Sequence, residues 1–183
     1  MGYAMAEAAK ACGAHVVLIS GPVDLKPPRG VPTIQVETAG EMRCAVLREW
    51  RRTDILFMVA AVSDFIPAQQ SQKKIKKGRG RMTLGFKPAP DILAEIGRRK
   101  KTGQVVIGFA AETDRHLVNA RSKLLRKNCD ALFVNPVERK DSGFSSEFNE
   151  GTLLARDGTV IRLRRTTKTA LARRLIRILI PYL

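Results

Sequence analysis

Two kinds of hydrophobic block alternate along this chain. The first is a short, nearly continuous apolar run: His15 to Ile19, Thr33 to Glu37, Asp54 to Ala60, Val105 to Ala111 and Ala131 to Asn135. Runs such as DILFMVA and VVIGFAA suit strands buried on both faces of a parallel sheet. The second is longer, with apolar residues recurring at helical spacing: Gly2 to Cys12, Ala39 to Arg52, Asp91 to Lys101 and Thr113 to Lys127. Punctuation agrees with the pattern. Gly13 stops the first helix, and Thr38 with Glu41 has capping-box spacing ahead of the second. Pro88 and Pro90 open the third, which carries an acid in its first turn and cations in its last. Strand and helix alternating through short loops predict an α/β architecture with a mostly parallel sheet.

The alternation pauses over residues 61–81, where Pro67, a polar stretch and KKIKKGRGR offer little to pack; Met82 to Phe86 is read as a strand. The tail changes character. Thr152 to Arg156 and Thr159 to Arg164 flank Asp157-Gly158, which predicts a β-hairpin. A last helix, Thr167 to Ile180, gathers Leu171, Leu175, Ile178 and Leu179 on one side and basic residues on the other. It is read as a helix docked on the domain rather than one lying on a membrane.

At 183 residues the chain fits one domain. Its net charge of +16 points to anionic partners, whether nucleotides, phosphorylated metabolites or nucleic acid, or to a lineage rich in arginine. Aromatic residues make up only 5% and none interrupts the basic run, which speaks against base stacking. Cys12, Cys44 and Cys129 lack metal-ligand spacing and are read as packing residues. His15 and His116 have no metal-spaced partner, so neither histidine catalysis nor a protein metal site is expected. The first residues lack the pattern of a secretory signal, and LIRILIPYL is too short to cross a bilayer. A soluble, cytoplasmic protein is expected.

Ligands of open parallel sheets bind beyond the carboxyl ends of the strands. Three such ends carry candidate chemistry: Ala60 to Asp64, Glu112-Thr113 and Asn135-Pro136. Small residues at Ala60 and Ala61 let a flat base approach. Asp64 has the chemistry to bond a ribose hydroxyl, or to cap a turn. Lys73, Lys74, Lys76, Lys77, Arg79 and Arg81 place six cations within nine residues without an acid. That run reads as a flap over a polyphosphate, a solvated loop or a nucleic-acid patch. Lys123 and Lys127, four apart on one helix, can reach one anion. No P-loop and no GxGxxG follows a strand. A doubly wound domain begins with a strand, whereas this sequence opens with a helix, so a glycine-rich loop would have to precede Met1.

Taken in order, MGYAMAEAA, SGPV, AAVSDF, KIKK, PDIL, GFAAET, ARSKLLRKNCD and FVNPV resemble phosphopantothenoylcysteine synthetase, in its bacterial form the carboxyl-terminal half of a bifunctional protein. The likeness extends over about residues 1–170, with Asp64 ten residues before Lys74. It implies a Rossmann-like three-layer fold and a homodimer. It also implies ligation of 4'-phosphopantothenate to L-cysteine with CTP and Mg²⁺, through an acyl-cytidylate, in coenzyme A synthesis. By the same resemblance Lys74 is the catalytic flap lysine and also a nucleotide contact. Ala60, Asp64, Pro90, Asp91, Ile92, Leu93, Phe109, Lys123 and Lys127 are nucleotide contacts, and Asn135 lies near the acyl substrate. Residues 1–183 are expected to form a single synthetase domain without its first strand and glycine-rich loop. No flavin is expected in this chain, and a decarboxylase is an expected partner. Two other readings stay open: a nucleotide-binding remnant of the family without turnover, and a basic nucleic-acid-binding domain.

Overall fold

The chain's turn residues fall where its apolar pattern breaks, and a computed structural model places five helices and nine strands between them among the described residues. The structure describes residues 1–69, 71, 73–76, 81–112, 116–136 and 146–180. Helix α1 (Gly2–Ala11) gives way through Gly13 at φ +88°, a conformation glycine adopts without strain, to β1 (Leu18–Ser20). After β2 (Thr33–Gln35), the Thr38 hydroxyl accepts the Glu41 N–H at 3.1 Å, and the Glu41 carboxylate accepts the Glu37 N–H at 2.8 Å. These bonds satisfy donors that the first turn of α2 (Ala39–Trp50) leaves free. Strand β3 (Ile55–Met58) follows, then β4 (Phe65–Pro67), β5 (Phe86–Pro88) and α3 (Ile92–Arg99). Next come β6 (Val105–Glu112), α4 (His116–Arg126) and β7 (Ala131–Pro136). The chain closes with β8 (Phe148–Ala155), β9 (Val160–Thr167) and α5 (Lys168–Leu179).

The main sheet has the order β3-β6-β7-β8-β9. Its first three strands are parallel, with Ile55 opposite Val105 and Ile107 opposite Ala131, and β8 and β9 join antiparallel as the predicted hairpin. Strands β1 and β2 form a separate parallel pair, and β4 and β5 an antiparallel one. Consecutive strand residues enter opposite cores, as the pleat requires. Val106, Leu132 and Val134 pack with Met42, Trp50, Ile96 and Leu124 of α2, α3 and α4. Ile107 and Phe133 pack with Met5 of α1 and Leu171, Leu175 and Leu179 of α5. The predicted α/β fold, with mostly parallel strands between two helical layers and a hairpin and helix at the end, is the observed one. Helix α5 is docked: Leu171 and Leu175 are fully buried, and truncating such a side chain to alanine typically costs about 2–5 kcal/mol. Among the described residues no helix is long and apolar enough to cross a membrane.

Several boundaries differ from expectation. The first strand starts at Leu18 rather than His15, and Val17 is 43% exposed. The strand expected over Met82 to Phe86 instead occupies Phe86–Pro88, because its partner is β4, in register Phe65↔Pro88. Cys12 and Cys44 are exposed, and only Cys129 is a packing residue, its thiol pushed up to about 11 by burial. Cys12 lies just past the end of α1, and Cys44 sits between the buried positions Met42 and Ala45 on the outer side of α2. The expected helix start at Thr113 and the cations Lys77 and Arg79 lie outside the described residues.

Candidate functional site

Because β3, β6 and β7 are parallel, their carboxyl ends open on one rim. Helix α3 begins at that rim and runs back to feed β6. Two hydrogen-bonding features tie the rim together. The Ala89 N–H donates to the Asp64 carbonyl at 2.9 Å, joining the loop after β3 to the approach of α3. The Asp91 side chain caps α3 by accepting the Ala94 N–H at 3.0 Å.

Asp91 also meets Lys127, whose Nζ lies 3.2 Å from its second carboxylate oxygen. Burial alone would raise the Asp91 pKa, but the Ala94 amide and the Lys127 ammonium outweigh it and hold the carboxyl below its usual range. Two glycines let α3 come this close. A Cβ at Gly97 would stand 1.9 Å from the Lys127 carbonyl, and one at Gly108 would stand 2.7 Å from Leu132 and 2.9 Å from Leu93. Asn128, at φ +52°, ends α4 there, and its side chain donates to the Gly97 carbonyl at 2.8 Å.

One cleft of about 2540 Å³ runs along β3 from Arg52 to Asp64 and opens on this rim. Ala60, Asp64, Pro90, Asp91, Ile92, Leu93, Phe109, Lys123, Lys127 and Asn135 all line it. Residues separated by as many as 75 positions, Ala60 and Asn135, thus share one wall system. Ala60 and Asp64 are exposed, and Lys123 and Lys127 half-buried. Phe109 stacks at 5.4 Å and 50° on Phe133. The Asn135 Oδ1 is buried without a hydrogen-bond partner. Lysines, an exposed carboxylate, an aromatic ring and small residues at a strand end suit an anionic ligand with a flat ring.

Lys74 is the exception. It is exposed, on the stretch between β4 and β5, and does not line the cleft. Among the described residues no three His, Cys, Asp or Glu side chains cluster to hold a metal.

Some cleft residues escaped the sequence reading. The Tyr3 hydroxyl lies 3.0 Å from Ser20 Oγ, linking the start of α1 to the end of β1. Trp50, the one tryptophan of the chain, lines the cleft from α2 with its indole N–H unpartnered. A single tryptophan in a helical pattern was the available signal, although core packing explains it equally well.

Comparison with known proteins places these features in a family. The family model described as the DNA/pantothenate metabolism flavoprotein C-terminal domain matches residues 1–182. The coenzyme A biosynthesis bifunctional protein CoaBC of Bacillus subtilis (strain 168) is 46% identical over 159 residues, 86% of this chain and 39% of that protein. A protein named cysteine/cysteine sulfinic acid decarboxylase, from an unknown prokaryotic organism, is 42% identical over 178 residues, 97% of this chain and 50% of that protein. This chain therefore spans half or less of the length of these relatives. A crystal structure of the C-terminal domain of CoaBC superposes with a TM-score of 0.81 at 34% identity, covering 97% of this chain and 79% of that one. From its sequence over nearly its whole length and from its fold, the chain belongs to the DNA/pantothenate metabolism flavoprotein C-terminal domain family.

Proposed function

We propose that this chain is the phosphopantothenate–cysteine ligase of coenzyme A synthesis, working with CTP. The observation that carries the reading is the cleft, where Lys123, Lys127, Asp64, Phe109 and the Pro90–Leu93 segment converge from four separate stretches of chain. In the proposed reaction the phosphopantothenate carboxylate attacks the α-phosphorus of CTP, and pyrophosphate departs. The cysteine amine then attacks the acyl carbon and loses a proton, and CMP departs.

Such chemistry rests on positioning and charge neutralisation. Ala60 and Phe109 border the base, Asp64 accepts a ribose hydroxyl, and Lys123 and Lys127 face the phosphates. Asn135, its buried oxygen unpartnered, is available to a donor on the acyl substrate. Lys74 reaches the α-phosphate only when its segment folds over the cleft, which makes it a closing element. Mg²⁺ would neutralise the triphosphate and arrive with it, since such sites combine substrate phosphates with one or two carboxylates; Asp64 is an exposed carboxylate of the rim.

The proposal extends to a cytoplasmic homodimer built on the β4–β5 arm, where Phe65 and Phe86 are 61% and 59% exposed. A decarboxylase is the proposed functional partner. Two relatives named CoaBC and cysteine sulfinic acid decarboxylase are both about twice this chain's length or more, and their names describe those longer proteins.

The test is calorimetric titration of CTP with magnesium, followed by pyrophosphate release in the presence of phosphopantothenate and cysteine. The chain is assayed alone and extended ahead of Met1. Lys74→Ala should lower turnover by about 10²–10³-fold, as loss of a transition-state charge partner does, while CTP still binds. Absence of any CTP response ends the nucleotide reading. Binding without turnover in the extended chain assigns the remnant instead.

A further inference from the structure

The Asp91 carboxylate is held at two points. Its Oδ1 accepts the Ala94 N–H at 3.0 Å and caps α3, while its Oδ2 faces Lys127 Nζ at 3.2 Å. The two charges are unequally shielded: the Asp91 side chain is 51% exposed and the Lys127 side chain 15%. Solvent reaches the carboxylate and largely misses the ammonium, so the cation is the member that needs a bound anion. Among the described residues Asp91 is its ion-pair partner. Arg126, beside Lys127 at the end of α4, draws on the same carboxylate. An anion standing where Asp91 Oδ2 stands would meet both cations, and Lys123, one turn back, lines the same cleft.

Either end of the pair can let go without loss of structure. Asp91 keeps its cap through Oδ1 when Oδ2 releases Lys127, so the first turn of α3 stays closed. Lys127 keeps its direction, because its stem is packed and the backbone beneath it is fixed. Its carbonyl abuts Gly97, and the next residue, Asn128, donates to the Gly97 carbonyl at 2.8 Å. Asp91 therefore adds little as a guide for the lysine chain. As a negative charge it weighs more, since it competes for the ammonium and repels a phosphate at short range.

We infer that Asp91 is a stand-in anion: it holds Lys127 until a phosphate of the ligand takes its place, so that polyphosphate entry exchanges one anion for another. The inference rests on the reading of the cleft as a phosphate site. It makes Asp91 a positioning residue that acts through Lys127 and restrains phosphate affinity. When pyrophosphate leaves, the same carboxylate takes the ammonium back.

Titration calorimetry with inorganic tripolyphosphate, in the absence of metal, tests the exchange. Asp91→Asn removes the charge, keeps a capping side chain and leaves the helices at the distance Gly97 sets; Asp91→Ser is a second variant that still caps. Both should bind tripolyphosphate about fivefold more tightly than wild type at low salt, the factor for one unit charge about 4 Å away in water. Its dissociation in stopped flow should slow by a similar factor. Asp64→Asn, which removes an exposed charge from the same rim, should change the affinity by less than about twofold, being screened by solvent. Lys127→Gln should weaken it by about fivefold or more. Unchanged or weaker tripolyphosphate binding in both Asp91 variants overturns the inference, and so does wild-type affinity in Lys127→Gln. An equal gain from Asp64→Asn overturns it as well, because rim charge alone would then explain the effect. A wild-type chain that binds CTP while the Asp91 variants show no gain removes the exchange and leaves the ligase reading standing. A chain that binds neither tripolyphosphate nor CTP in any form removes both.

Discussion

A methyl group at Gly97 has nowhere to go. The atom it would strike at 1.9 Å is the backbone carbonyl of Lys127, which a rotamer change cannot move aside. Gly97→Ala should therefore destabilise the protein by about 1–3 kcal/mol in urea denaturation, the range for overpacking a core. Under the proposed function it should weaken CTP binding as well, because Lys127 and Asp91 would separate. A stability within about 0.5 kcal/mol of wild type, the size of a neutral surface change, would show that the helices are not held at this distance. A glycine inside a helical pattern is visible in sequence as an oddity. Its reason is not, since the carbonyl it accommodates lies thirty residues later and becomes a neighbour only after folding. The cysteines teach the same lesson. Cys44 occupies a helix, but which side of α2 faces inward is decided by Met42, Ala45, Val46 and Trp50 together.

At the level of elements, the β4–β5 arm stands apart. Its two short strands pair only with each other among the described residues, and an isolated pair of strands is at best marginally stable in water. Phe65, Met82, Leu84 and Phe86 are each about 60% exposed along it, and such a patch marks an interaction surface. For the proposed homodimer, Phe65→Lys combined with Phe86→Lys should give a monomer in sedimentation, with circular dichroism unchanged. A wild-type chain that is monomeric at every concentration, or a double variant that still dimerises, would remove the arm from the interface. The arm was the least legible element. Pro67 and the basic run broke the hydrophobic pattern, and Met82 to Phe86 looked like a strand until the register with β4 selected Phe86–Pro88. The helices read well because caps at Thr38, Asp91 and Thr167 are local chemistry.

Taken whole, the molecule carries a formal charge of +16, and that surplus acts over distances of about a Debye length, roughly 10 Å at 0.1 M salt. If the cleft binds CTP, raising salt from 0.05 to 0.5 M should weaken binding by about threefold or more through screening alone. Titration calorimetry at several ionic strengths reads this directly, and a salt-independent affinity would assign recognition to the uncharged contacts. The strand–helix alternation, and with it the fold class, was legible because buried parallel strands announce themselves as apolar runs. The order β3-β6-β7-β8-β9 was not, because which strands become neighbours depends on pairings across the whole chain. The flank at the end of that order has a fate of its own. Strand β9 closes it with exposed Arg162, Arg164 and Arg165, the last lying 4.5 Å over the Phe148 ring. Like charges brought rim to rim repel, so this border is sealed against further pairing. A sheet with one sealed border cannot template copies of itself end on end, which leaves the protein no route to a filament through that side.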